Sequence, residues 1–138
     1  MRQLSIFLEN RAGRLEDALN LLKDNGINII SLSLADTTDY GMLRLIVTDI
    51  DKAKETLKAN GFSAHLSQVV AITLSHTVGS LQKALHVLAE NGINVEYMYA
   101  LCTKTDEAAI VIKPSDIEKA EDILSKEGYS FFTEADLF

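Results

Sequence analysis

The chain has 138 residues, 47% of them apolar, a net charge of −7 and a single cysteine, Cys102. That length makes one ordinary domain or two of roughly 65–70 residues, one cysteine leaves no internal disulfide, and no run approaches the ~18 apolar residues of a membrane span. Lys and Arg are dispersed through an acidic chain, so the basic stripe that a phosphate backbone requires is missing, and neither nucleic acid nor a membrane is an expected partner.

Met1-Arg-Gln-Leu enters a strand with no signal-peptide pattern, which predicts a cytoplasmic protein. Residues 3–8 alternate, Leu4, Ile6 and Leu8 against Ser5 and Phe7, as a strand with one apolar face. The loop Glu9-Asn-Arg-Ala-Gly-Arg-Leu15 follows. Leu15, Ala18, Leu19 and Leu22 then recur at i, i+3, i+4 and i+7, the buried stripe of a helix. Either Asn10 caps this helix or the loop bends at Gly13 and begins it. Gly26 stops it. Asn28 to Ala35 reads as a strand with Ile30, Leu32 and Leu34 between Ser31 and Ser33. Asp36 to Gly41 is a turn, and Met42 to Thr48 returns antiparallel. Asp49 or Asp51 caps a second helix with the stripe Ile50, Ala53 and Leu57. Asn60-Gly61 stops it, and Phe62 to Gln68 is a fourth strand.

The pattern then repeats. Gly13 to Ile29 matches Gly79 to Val95, 66 residues later, with nine of 17 positions identical. Any amphipathic helix reuses leucines, but the identical Asn25-Gly-Ile-Asn28 and Asn91-Gly-Ile-Asn94 mark a duplication. In the second half Val69 to Leu74 is a strand, Ser75 to Gly79 the loop, and Leu81 to Glu90 the helix. Asn94 to Thr103 is a strand, Lys104 to Glu107 a turn, and Ala108 to Lys113 the returning strand. Pro114 begins the last helix at its first turn, with the stripe Ile117, Ala120 and Leu124, and Gly128 stops it. Tyr129 to Thr133 is the last strand, and Glu134 to Phe138 a short tail.

The expected fold is therefore α+β: two domains, 1–67 and 68–138, each a ferredoxin-like βαββαβ unit, with their antiparallel sheets side by side. If Ile27 and Ile29 face the helices, strict alternation sends Ile30, Leu32 and Leu34 to the opposite, helix-free face, unless a bulge intervenes. Three aliphatics there predict a contact surface and a homodimer or larger.

A strand, then Leu-Glu-Asn-Arg-Ala-Gly-Arg-Leu, then a helix closing in Asn-Gly-Ile-Asn-Ile resembles the ACT domain, a small-molecule sensing module. The duplicated arrangement is similar to stand-alone tandem ACT proteins, as are Ala35 to Arg44 and Asn94 to Ala100. The resemblance covers nearly the whole chain. The family's usual proline before the glycine is Ala12 here, and the second loop matches through Gly79 alone. The resemblance implies amino-acid binding at an interface between ACT units, without catalysis by the module.

The residues suit that role. A helix N-terminus presents unpaired amides that favour a carboxylate. The amides from Ala12 to Leu15, Gly13 and Arg14 among them, would cradle the carboxylate of a free amino acid. Asn10 and Asn28 would accept from its ammonium group or brace the loop, and Arg11 and Arg14 would steer the anion. Gly79 and Asn94 are the counterparts in the second half. Each has a plainer reading. The glycines permit tight turns, the asparagines tie the strand entry to the backbone, and exposed arginines are solvated. Tyr97 and Tyr99 replace Ser31 and Ser33, either as core filling or as a pocket wall. Asp36, Asp39 and Tyr40 either satisfy their own turn or accept an ammonium group.

His65, His76, His86 and Cys102 fit no zinc spacing. Nucleophile-elbow, P-loop and dinucleotide fingerprints are missing, so no metal or cofactor is expected. The reading is a non-catalytic amino-acid sensor, whose partners are a free amino acid and a metabolic enzyme. One alternative is a regulatory interaction subunit of an amino-acid biosynthetic enzyme without a ligand of its own. Another is an acylphosphatase-like enzyme that uses Arg11 or Arg14 with Asn28, although the loop lacks a glycine-rich cradle.

Overall fold

The computed structural model describes residues 1–36, 39–104 and 106–137. Thr37, Thr38, Thr105 and Phe138, which belong to the expected turns and tail, lie outside the described residues. The chain divides into two compact units, Arg2–Ser67 and Gln68–Phe138, the second taking in Met1.

In the first unit the alternation of Leu4, Ile6 and Leu8 produces β1 (Arg2–Glu9), with all three side chains buried. It is followed by α1 (Arg14–Asp24), β2 (Ile29–Asp36), β3 (Tyr40–Val47), α2 (Ile50–Ala59) and β4 (Ser63–Gln68). The strands lie in the order β2-β3-β1-β4, with β3 antiparallel to both β1 and β2. Ala18 and Leu22 of α1 and Ile50, Ala53 and Leu57 of α2 pack with Leu4, Ile6, Leu43 and Leu45 in one core. Both helices therefore cover the same face of the sheet.

The second unit runs β5 (Val70–Leu74), α3 (Ser80–Glu90), β6 (Val95–Leu101), β7 (Ala108–Pro114) and α4 (Ile117–Lys126), then a 3-10 turn at Glu134–Leu137. Its strand order is β5-β7-β6, and Ala84, Leu88, Ala120 and Leu124 pack on Ile72, Ile110 and Ile112.

The identical Asn-Gly-Ile-Asn segments have a structural cause. Asn25 Nδ2 donates to the Leu21 carbonyl and Asn91 Nδ2 to the Val87 carbonyl, each at 2.8 Å. The next glycine is left-handed, and the buried isoleucine after it donates its amide back to Leu22 or Leu88, at 2.9 and 3.0 Å. This closes the helix and turns the chain into the next strand. Lys52 Nζ and Lys119 Nζ each donate at 2.8 Å to the carbonyls of Asn25 and Asn91, which ties the start of α2 or α4 to that corner.

The structure decides two open alternatives and changes two other expectations. The first helix begins at Gly13, without a side-chain cap from Asn10. Asp49, rather than Asp51, caps α2, accepting from the Lys52 amide at 3.2 Å. Pro114 closes β7 opposite Val95 instead of opening the last helix. It lies opposite the register shift between Val95 and Tyr97, and a bulge is one of the places where a sheet tolerates proline; the helix starts at Asp116, whose carboxylate accepts from the Lys119 amide at 3.0 Å. Tyr129 to Thr133 makes only an isolated bridge, Phe131 to Ile72, flanked by Thr73 N–H to Ser130 and Phe132 N–H to Ala71, both at 2.9 Å. Asp136 takes the Thr133 amide at 2.7 Å and diverts the chain into the 3-10 turn.

A bulge also intervenes in β2. Ile29 pairs with Val47 and Ser31 with Ile46, so Ile30 is the extra residue. From there Leu32 pairs with Leu45 and Leu34 with Leu43, both core residues. Directly paired residues share a face, so Leu32 and Leu34 return to the helix-bearing side. They are 49% and 48% exposed, because β2 is an edge strand. The expected placement on the helix-free face is overturned. The second unit repeats the irregularity at Glu96, and Met98 and Ala100 pair with Ile112 and Ile110.

Candidate functional site

After β1 the chain turns through Asn10, Arg11 and Ala12 to Gly13, whose φ is +85°. L side chains avoid that region at a cost of roughly 1–2 kcal/mol. The Asn10 amide donates to the Asp39 carbonyl at 3.1 Å, the Arg11 amide to Glu9 at 2.9 Å and the Arg14 amide to Arg11 at 3.3 Å. The helix ladder begins with the Asp17 amide on the Gly13 carbonyl, at 2.9 Å. The amides of Ala12 and Gly13 meet no backbone acceptor among the described residues, and those of Leu15 and Glu16 lie in the first turn, where a helix offers none. Arg11 Nε donates to Glu9 Oε2 at 2.8 Å. This bond, together with the guanidinium charge, holds the Glu9 carboxyl below its ordinary pKa. Arg14 turns away from the loop: its guanidinium carbon stacks 3.9 Å from the centroid of the Phe62 ring, and its buried Nε has no hydrogen-bond partner.

Asn10, Arg11, Ala12, Gly13, Arg14 and Leu15 thus share one loop, and Asn28 does not join them. It follows the far end of α1, whose 11 residues span about 16 Å. The Asn28 amide donates to Thr48 Oγ1, and its carbonyl accepts from the Thr48 amide, both at 3.1 Å. Asn94 makes the same exchange with Ser115, at 3.0 and 2.8 Å. Tyr97 and Tyr99 pair with Lys113 and Val111, on the face away from the helices, and are half-buried.

The second loop repeats three of these bonds. The Thr77 amide donates to Ser75 at 2.8 Å, Ser80 to Thr77 at 3.2 Å and Lys83 to Gly79 at 3.0 Å, around a Gly79 φ of +84°. The side chains differ. Where Glu9 and Arg11 pair, the Ser75 hydroxyl lies 2.9 Å from that of Thr77 and 3.3 Å from that of Ser80. Ser80 stands in the place of Arg14, and Lys83 in the place of Asp17. Tyr129 stands in the place of Phe62: each follows a left-handed glycine and donates its amide at 3.0 Å to the helix before it, to Leu124 or to Leu57. Beside Ser80 and Tyr129 a cleft of about 530 Å³ opens, walled by the Ser75–Gly79 loop, Lys83, Glu107 and Glu127. Lys83, Glu127 and Tyr129 carry no motif of their own, and the sequence signals them only through the missing arginine at Ser80.

Among the described residues no group of three or more His, Cys, Asp or Glu is arranged for a metal ion, and no helix is long and apolar enough to cross a membrane.

The family model for an ACT domain pair matches residues 1–138, the whole chain. The chain belongs to the ACT family. No curated protein matches it. Among solved structures, this ACT pair is similar to a Bacteroides thetaiotaomicron protein, with 38% identity, a TM-score of 0.91 and coverage of 99% of this chain and 94% of that one. The regulatory subunit of aspartate kinase from Thermus thermophilus, in its ligand-free form, matches with 16% identity, a TM-score of 0.64 and 92% of each chain covered. Its counterpart from Thermus flavus matches with 20% identity and a TM-score of 0.63, over 90% of this chain and 88% of that one. The Thermus likenesses are likenesses of fold. The resemblance read from Glu9 to Leu15 is thereby borne out, as are the two ferredoxin-like ACT units.

Proposed function

We propose that this ACT pair is a non-catalytic sensor that binds a free amino acid at its strand–glycine–helix loops and regulates a metabolic enzyme. The observation that carries the reading is the full-length membership of the ACT pair family, with a left-handed glycine opening the first helix of both units. The fold is shared with regulatory subunits of aspartate kinase, which supports a regulatory rather than a catalytic task. The Arg–Asn pair of the acylphosphatase-like alternative lies apart, with Arg14 on Phe62 and Asn28 beyond the far end of α1. We also propose that the chain self-associates in the cytoplasm, using the half-exposed Leu32 and Leu34 on its open β2 edge.

A thermal-shift screen across the amino acids tests the sensor reading. A ligand at 100 times its Kd adds about 2.7 kcal/mol of stability, enough to raise the Tm visibly. No shift with any amino acid, together with co-purification of a catalytic partner, would instead support an interaction subunit without a ligand. Acyl-phosphate turnover abolished by Arg14→Ala would overturn the non-catalytic assignment.

A further inference from the structure

We infer that the cleft beside Ser80 is the amino-acid site of this protein, and that Arg14 plugs the equivalent place in the first unit, leaving one site per chain. The inference rests on the sensor reading and adds a location, a stoichiometry and a ligand class: an α-amino acid with a neutral or basic side chain.

The two loops share three backbone hydrogen bonds around a left-handed glycine, and their side chains differ. In the first unit the arginine that opens α1 lays its guanidinium on Phe62, 3.9 Å from the ring centroid. In the second unit the residue that opens α3 is a serine, and the ring after the glycine is Tyr129. Beyond the γ position, where serine's hydroxyl takes the place of Cγ, arginine has five further heavy atoms and serine has none. The cleft of about 530 Å³ lies between these same two positions. Its volume falls inside the range of about 300–1,000 Å³ typical of small-molecule sites.

The lining suits a zwitterion. Lys83 brings an ammonium group for a carboxylate, and Asp106, Glu107 and Glu127 bring carboxylates for the ligand's own ammonium. An acidic side chain entering beside three carboxylates is repelled, whereas a neutral or basic one is tolerated or attracted. Leu74 and Tyr129 supply the apolar part of the wall. The first unit has the reverse chemistry. Asp17 replaces Lys83, so even with Arg14 removed its loop would meet an incoming carboxylate with a carboxylate.

The test is calorimetry on the full chain with each of the twenty amino acids. The wild type should bind one neutral or basic amino acid per chain. Ser80→Arg, which rebuilds the plug, and Lys83→Met, an exposed position, should each weaken binding at least tenfold. Arg14→Ser should leave affinity within about twofold. If Ser80→Arg fails to fold, the Lys83→Met measurement decides. Wild-type affinity in both cleft variants would overturn the inference and leave the sensor reading standing. Two equivalents per chain, or a preference for glutamate or aspartate, would likewise overturn it. No binding of any amino acid to the wild type would bring down both.

Discussion

The guanidinium carbon of Arg14 lies 3.9 Å from the centroid of the Phe62 ring, so the first residue of α1 is packed on the residue that precedes β4. Phe62 is buried while Arg14 is only partly so. A cation over an aromatic face contributes about 0.5–1 kcal/mol when exposed and about 2 when desolvated. A double-mutant cycle of Arg14→Ala and Phe62→Leu, followed by denaturant unfolding, should return a coupling in that range. A coupling indistinguishable from zero would mean that the two groups merely touch.

Gly13 and Gly41 should respond differently to the same added methyl group. A Cβ at Gly13 meets nothing within 4 Å, but the φ of +85° is strained for alanine. Gly13→Ala should cost roughly 1–2 kcal/mol, and Gly13→Asn less, since asparagine visits that region more readily. At Gly41 a Cβ comes within 3.3 Å of Leu34 Cδ1. Leu34 is half-exposed at an open edge and can turn aside, so Gly41→Ala should change stability by less than about 1 kcal/mol. Urea midpoints of the three variants decide the ranking.

Asp49 and Asp116 cap the second helix of each unit through the amides of Lys52 and Lys119. Their replacement by alanine should destabilise the unit concerned by about 1 kcal/mol. Amide hydrogen exchange should speed up first at the N-terminal turn of the corresponding helix and leave the other unit unchanged. Faster exchange in both units at once would show that the caps are not local.

The Arg11 hydrogen bond lowers the Glu9 carboxyl pKa, with the charge of the same guanidinium as the next contribution. A depressed acid stabilises the folded loop above its unfolded value, about 4.3, and loses that contribution as pH falls through the folded value. An NMR titration should place the Glu9 midpoint below that of an ordinary glutamate, and Arg11→Ala should raise it back. The same midpoint in both proteins would mean that the pair does not persist in solution.

The parts of the fold that periodicity dictates were legible before any coordinates. Leu4, Ile6 and Leu8 alternate because only one face of β1 meets the helices, and Ala18, Leu22, Ala53 and Leu57 recur at helical spacing for the same reason. Features set by long-range partners were not legible. The role of Pro114 depended on the register shift between Val95 and Tyr97 opposite it, and the length of the last strand on where Asp136 captured Thr133. The first loop was readable as a cluster because its candidates are consecutive in sequence. Asn28 was misgrouped with it, since proximity in the chain hides the length of the helix between them. Lys83, Glu127 and Tyr129 meet only through folding, and no local pattern announces such a meeting.

The extra residue at Ile30 has a consequence for how this strand can change over generations. Point substitutions alter β2 one side chain at a time. Loss of the single codon for Ile30 would straighten the strand and leave its two faces as they are, because Ile29 and Ser31 already pair with the consecutive residues Val47 and Ile46 and Leu32 and Leu34 would keep their partners on the helix-bearing side. The matching irregularity at Glu96 gives β6 the same spare residue, with Val95 and Tyr97 on the consecutive residues Pro114 and Lys113. In each half of the chain, a one-codon deletion at the bulge could therefore be absorbed without rewriting either surface of the strand.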